Sequence, residues 1–297
     1  MDESKIAVFD KIKFNKILLE TMKAFIRLCN QYNFQYFGCG GTVIGAVRHH
    51  GLIPWDDDID VYMPRKDYDR FINLKENLKG SNYGICTIDD ENYYLPYAKF
   101  YDTNTTIWET EDYSFVIGVY IDIFPLDMCD YDIDEIRTMR SSYNSLIREY
   151  KQSVRYYTFD TLFSFCKEKN IRKVTYYIRK FIINKCLIGP NYYRKRIHEF
   201  ENGLKKREGD YLFHIYFTYD VEREIFKKDW FKDYIEMPFE DFKIRIPKGY
   251  KEYLTQLFGD YMTPPPIEMQ KSHHYHYFVG LDRKYTIEEI KEIKRNR

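Results

Sequence analysis

The chain has 297 residues, 44% hydrophobic and 31% charged, which suits a soluble globular protein and excludes a disordered one. No apolar run approaches the roughly 20 residues of a membrane span. Net charge is zero, yet the charges are segregated: 20 acidic against 6 basic residues in 51–135, and 15 basic against 4 acidic in 151–207.

The first ten residues carry both signs of charge and lack the apolar run of a signal peptide. Phe14, Ile17, Leu18, Met22, Phe25, Ile26 and Cys29 recur at helical spacing and predict an amphipathic helix over 11–32. A short strand over 34–37 leads into Gly38-Cys39-Gly40-Gly41, where the chain can turn tightly. Thr42 is the expected cap of a helix from Val43 to His50, ended by Gly51 and Pro54. Residues 58–63 alternate polar and apolar as a half-buried strand does, and Pro64 is expected to stop them. A helix is expected over 65–78, and strands over 93–102, 115–120 and 120–124, the last closed by Pro125.

From 131 to 209 the chain becomes long helical segments rich in Lys, Arg and Tyr. Phe159, Leu162, Phe163 and Cys166 share one helix face, and Val174, Ile178, Phe181 and Ile182 share another. A strand over 244–247, a helix over 250–258 and the stiff Pro264-Pro265-Pro266 follow. The six cysteines lack Cys-x-x-Cys spacing and read as reduced cytoplasmic thiols, not a disulfide frame or a zinc site. With 30 Tyr and 22 Phe the chain has more rings than a small core needs, so some are expected on a groove or surface.

The segment that carries chemistry runs from Gly40 to Asp60. Asp58 and Asp60, two apart on a strand, leave the same face. Adjacent carboxylates repel unless a cation sits between them, and hard oxygen ligands suit Mg²⁺ or Mn²⁺. Asp122, between Ile121 and Ile123 on another strand, is a third candidate. Gly40 and Gly41 at a helix entry form a candidate phosphate cradle, and Arg48 can add a charge-assisted contact. A glycine turn, a helix and then Asp-x-Asp on a strand is the logic of metal-assisted transfer from a nucleotide. A calcium loop is excluded, because the glycine and glutamate of an EF-hand are absent after Asp56.

Residues 40–64, GGTVIGAVRHHGLIPWDDDIDVYMP, resemble the signature of the LicD family, the phosphocholine transferases and fukutin-related proteins of the nucleotidyltransferase-fold superfamily. Tyr97-Ala98-Lys99 with Asp102, then 120–127 (YIDIFPLD), and then Ile246-Pro247 through Met262 and Pro265-Pro266 are similar to its later blocks in the same order. The gap from Gly41 to Asp58 is long for the superfamily, and 131–209 is not placed by the resemblance.

The resemblance implies an α+β fold, a mixed sheet flanked by helices. A catalytic core over 1–130 would be completed by 210–297, with a basic helical insertion over 131–209. It implies that Asp58 and Asp60 bind a divalent metal with the donor diphosphate, and that Asp122 binds a second metal or activates the acceptor hydroxyl. Gly40, Gly41 and Thr42 would hold phosphate oxygens. Lys99 is a candidate phosphate contact, its alternative being a surface strand lysine. Asp56 and Asp57 would support the metal ligands. Trp55 either stacks on a base or choline or fills the core, and Asp127 reads as a loop anchor. Of the histidines after the proline block, His273 or His274 would lie near the active site, a better reading of His273, His274 and His276 than zinc.

The expected enzyme is a cytoplasmic phosphotransferase. It would move phosphocholine or a similar group from a CDP-linked donor such as CDP-choline to a sugar of a surface glycan or its lipid-linked precursor. The rivals are a nucleotidyl or sugar-phosphate transferase, and a silent binding module for an anionic polymer. The basic segment over 151–207 either meets an anionic membrane or polymer, or packs against the acidic segment; no nucleic-acid reader motif is present.

Overall fold

The computed structural model describes residues 10–216, 219–272 and 274–296. Helix α1 (Lys11–Tyr32) starts where the Asp10 carboxylate accepts the Lys13 N–H and ends at Asn33 in the left-handed region. Its buried stripe, Phe14, Leu18, Met22, Phe25 and Cys29, lies against the sheet, where the Phe25 and Phe100 rings are 5.9 Å apart. Strand β1 (Phe37–Gly38) runs into α2 (Gly40–Ile44), which widens into a π-turn over Gly45–His49. This helix begins three residues earlier than the sequence suggests. Cys39 is the N-cap, because the Thr42 hydroxyl instead accepts the Asp60 N–H at 2.8 Å.

Strand β2 (Asp60–Pro64) follows, then α3 (Arg65–Ile72), β3 (Tyr83–Cys86), β4 (Ala98–Asp102), β5 (Thr106–Trp108) and β6 (Tyr120–Cys129). Several expectations are corrected here. The strand expected over 34–37 is only Phe37–Gly38, and that expected over 58–63 begins at Asp60, so Asp58 lies in the loop before it rather than on the strand. The helix expected over 65–78 stops at Ile72, and 75–78 is a separate 3₁₀ turn. The 93–102 strand begins only at Ala98. The 115–120 strand reduces to a single bridge from Ile117 to Ile107 in β5.

Pro125 does not close β6, and the register shows why. Asp122 N–H donates to Ile59 O on the β2 side, so by alternation the N–H that Pro125 lacks would point to the opposite edge. There β6 changes partner, leaving β4 at Ile123 and meeting β7 (Tyr211–Phe213) from Asp127 onward. Pro125 falls in the gap, where no ladder bond is lost.

The sheet order is β1-β2-β6-β4-β3, with β7 on the far half of β6 and β8 (Ile225–Lys227) on β7. Among the described residues only β2 and β6 pair in parallel; their neighbours run antiparallel. This is an α+β arrangement of a mixed sheet flanked by helices. The hairpin β9 (Tyr234–Phe239) and β10 (Phe242–Pro247), with α8 (Tyr250–Phe258), shares the main core with α1, β1, β2, β4 and β6. Strand β11 (Phe278–Gly280) pairs with β5, and α9 (Ile287–Arg295) opens on a Thr286–Glu289 capping box.

Helices α4 (Ile133–Val154) and α7 (Pro190–Leu204) build a second core with β7, through Ile136, Tyr143, Ile147, Ile197 and Phe213. Between them, α5 (Phe159–Lys167) and α6 (Ile171–Phe181) form a small hairpin, each opened by a side-chain cap from Thr158 or Asn170. All six cysteines are free thiols.

Candidate active site

The parallel pairing of β2 and β6 places Asp60 directly opposite Asp122. The antiparallel pairing of β4 with β6 places Lys99 opposite Asp122 on the other side. Three adjacent strands therefore carry two carboxylates and a lysine at one level. Asp60 is clamped by its backbone: its N–H donates to Thr42 Oγ1 at 2.8 Å and its carbonyl accepts Cys39 N–H at 3.0 Å. The glycine turn and the aspartate strand are thus one rigid unit.

Lys99 is not the surface lysine of the alternative reading. It is 1% exposed. Its Nζ lies 2.8 Å from Asp122 Oδ1, 3.4 Å from Glu109 Oε1 and 3.3 Å from the centre of the Tyr120 ring. Burial alone would lower its proton affinity, but Asp122 and Glu109 reverse this and raise it, so Lys99 stays charged. Glu109 accepts hydrogen bonds from the Tyr94 and Tyr120 hydroxyls. Burial opposes its ionisation, but Lys99 and these phenols hold it down at about 2.

The acidic side is under the opposite stress. Burial first, and Asp56 second, push Asp58 up to about 8. Burial, Asp58 and Asp122 push Asp60 well above the carboxylate range. Burial also raises Asp122, against the pull of Lys99. Half-buried carboxylates crowded around a strand end are the arrangement a cation relieves.

His274 brings a second group to the same place. Its Nδ1 lies 2.8 Å from Asp57 Oδ1 and its Nε2 lies 3.5 Å from Asp58 Oδ2. The hydrogen bond to Asp57 raises His274 to about 9, so an imidazolium stands between the two carboxylates. Burial would raise Asp57, but hydrogen bonds from His274, His276 and Ser272 draw it well below the usual range. Asp56, Asp57 and, once it has given up a proton, His274 can each offer a ligand atom within 4.8 Å of the others.

Gly40 adopts φ +51°, a conformation that side chains disfavour, and its N–H donates to Tyr253 Oη at 2.8 Å. A Cβ on Gly41 would come within 3.1 Å of Asp56 Oδ2, so this position keeps the backbone close to the aspartates. Arg48 donates to the Tyr261 carbonyl at 2.7 Å and to His49 at 2.9 Å, and lies 5.9 Å from the Trp55 ring. Trp55 is half-buried beside His49 and Arg48. Asp127 is buried and takes a two-pronged contact from Arg65, both bonds 2.7 Å. His273 lies outside the described residues.

The structure thus gathers Asp56, Asp57, Asp58, Asp60, Asp122, Lys99 and the 40–42 turn. It ties Gly40 and Thr42 into the frame and turns Arg48 toward the loop after α8. Sequence reasoning missed Glu109, Tyr94 and Tyr120. The only cue for Glu109 was an acid immediately after the apolar Ile107-Trp108. Ser272 carried no signal at all.

A family model described as "LicD/FKTN/FKRP, nucleotidyltransferase domain" matches residues 33–165, which hold Asp56, Asp57, Asp58, Asp60, Asp122, Lys99, Glu109 and the 40–42 segment, but not Ser272, His274, His276, Tyr253 or Tyr261. The chain is 31% identical to the lipopolysaccharide cholinephosphotransferase LicD of Haemophilus influenzae over 264 residues, 87% of this chain and 93% of that one. Two shorter matches are uncharacterized proteins, one of Rickettsia typhi (37% over 68 residues; 23% of this chain, 22% of that one) and one of Rickettsia prowazekii (42% over 50 residues; 17% and 19%). The fold, the acidic site and this similarity define an enzyme of the transferase class. The chain belongs to the LicD family.

Proposed function

We propose that the chain moves a phosphorylated alcohol, phosphocholine in the simplest case, from a CDP-linked donor to a sugar hydroxyl of a cell-surface glycan or its lipid-linked precursor. The observation that carries this is the register that sets Asp60 beside Asp122, with Lys99 locked behind Asp122.

The donor chemistry, carboxylates of Asp58 in the loop and Asp60 at the start of β2 with Asp56 and Asp57 beside them, suits a hard divalent cation such as Mg²⁺, and both Asp58 and Asp60 are strained toward protonation. When bound, such an ion would neutralise the diphosphate and the charge building on the departing phosphate oxygen. Asp56 and Asp57 would support the ligands, Asp57 through its bonds to Ser272 and His274. Gly41 lets the backbone approach the donor phosphates without a side chain in the way.

Asp122, whose proton affinity is raised, takes the proton of the acceptor hydroxyl. The acceptor oxygen forms its bond to the phosphorus bearing the alcohol, and the bond from that phosphorus to the CMP oxygen breaks. Lys99 holds Asp122 in place and keeps local charge balanced as the proton arrives.

The test is release of CMP from CDP-choline, CDP-glycerol and CDP-ribitol, with and without Mg²⁺. Metal-dependent release from one of the three, enhanced by a glycan acceptor, is expected. No release from any of them, with the folded protein intact, would sink this proposal.

A further inference from the structure

We propose that the hairpin of α5 and α6 is a docking surface for an anionic lipid bilayer. Among the described residues, nineteen large hydrophobic side chains are exposed, and ten of them fall between Phe159 and Tyr192. Phe159 and Phe163 stand one turn apart on α5, at 78% and 60% exposure. Ile171 and Ile178 stand two turns apart on α6, and Leu187 is exposed in the turn beyond.

These side chains are not needed to hold the hairpin together. Its inner face is already made: Tyr177 is buried, its hydroxyl accepts the Thr158 N–H at 2.7 Å, and its ring packs edge-on against Tyr157 and Phe165. The apolar stripes are surplus to that packing and face water. Isolated exposed apolar residues are ordinary, but a concentration on one hairpin marks a contact surface.

The charges choose the partner. At its two ends the basic segment is paired internally: Arg155 with Asp112 at 2.7 Å, Lys205 with Asp69 at 3.1 Å and Arg207 with Glu135 at 2.7 Å. The middle is not. Lys167, Lys169, Arg172, Arg179 and Lys185 are exposed, and among the described residues none has a carboxylate within 4.0 Å. Uncompensated cations flanking exposed Phe, Ile and Leu fit a surface that is anionic at the level of its headgroups and apolar beneath them.

A second copy of the chain fits poorly, because two-fold pairing would set these five cations against their own copies. A polyanion would use the cations but leave the aliphatic residues in water. Helices of 9 and 11 residues lie in the interface and cannot span it.

Cosedimentation with vesicles tests this on the full chain without donor or acceptor, so its outcome is separate from that of the transferase proposal. Equal parts phosphatidylglycerol and phosphatidylcholine are compared with phosphatidylcholine alone, at low and high salt. The apolar variant is Phe159→Ser, Phe163→Ser, Ile171→Ser and Leu187→Ser together. The charge variant is Lys167→Glu, Lys169→Glu, Arg172→Glu and Arg179→Glu. Wild type is expected to bind the anionic vesicles at low salt, and each variant to bind at least about tenfold more weakly with an unchanged circular dichroism spectrum. Three results would overturn the proposal: wild type remaining in the supernatant at low salt, an apolar variant binding as well as wild type, or a wild-type dimer that the apolar variant loses while neither sediments with vesicles.

Discussion

Lys99→Met removes the one cation in a buried cluster and leaves Asp122 and Glu109 facing each other. At separations of 2.8 and 3.4 Å, and an effective dielectric near 20, each attraction is on the order of 5 kcal/mol. Taking the ammonium out of water offsets much of this. Breaking a buried pair while keeping the opposite charge still costs about 3–5 kcal/mol. Glu109→Gln is milder: it keeps one oxygen for the Tyr120 hydroxyl and Lys99, its NH2 can donate to the Tyr94 oxygen once that hydroxyl turns away, and Lys99 keeps Asp122, so about 1.5 kcal/mol is expected. The two changes share one interaction, so the double variant should be more stable than their sum by about 1–3 kcal/mol. Urea unfolding followed by circular dichroism, with unchanged slopes, measures all three. Additive costs, or a Lys99→Met cost below about 1 kcal/mol, would refute the picture of Lys99 as the charge that holds this cluster together.

Asp60→Asn and Asp58→Asn should each abolish transfer, and in chelator they should melt no lower than wild type, since each removes a carboxyl that burial and its neighbours already strain; near-normal turnover in either would remove these residues from the metal site. Asp127→Asn removes the two-pronged partner of buried Arg65 and leaves it only the more distant Asp69 at 3.8 Å, so it should cost about 3 kcal/mol in a urea titration; an unchanged midpoint would mean that the pair is dispensable. The His198–Asp89 pair gives a pH signature. Asp89 is lowered by its bond to His198, so its contribution is present above the unfolded carboxyl value and lost as pH falls through the folded one. His198 is raised by the same bond, so its contribution is full below the unfolded imidazole value and lost as pH rises through the folded one. Asp89→Asn should therefore cost at most about 0.5 kcal/mol near pH 5.5, the pair being half-exposed, and almost nothing near pH 9. Equal costs at the two values would show that the pair acts through its neutral hydrogen bond.

Local chemistry determined much of this protein from sequence alone. The spacing of Phe14, Leu18, Met22, Phe25 and Cys29 sets the first helix to the residue, because a 3.6-residue period is a property of the segment itself. The alternation around Asp60 and Asp122 likewise placed both on strands, with their apolar neighbours in the core. Partners separated in sequence were another matter. That Asp60 lies opposite Asp122 depends on a parallel pairing that no local pattern states. The continuation of β6 through Pro125 depends on the exchange of β4 for β7 at that residue, which rescues a proline that would otherwise end a strand. Thr42 has the chemistry of a helix cap, but only the tertiary structure offers it the Asp60 N–H instead. Lys99 is the clearest case. A lysine on a strand is as consistent with the surface as with a ligand site, and what buries it is Glu109 from β5's end, Asp122 from β6 and the Tyr120 ring. Charge is legible residue by residue, but whether a charge is solvated or locked against its opposite is decided by which strands meet, because electrostatic energy depends on distance and burial and not on position along the chain.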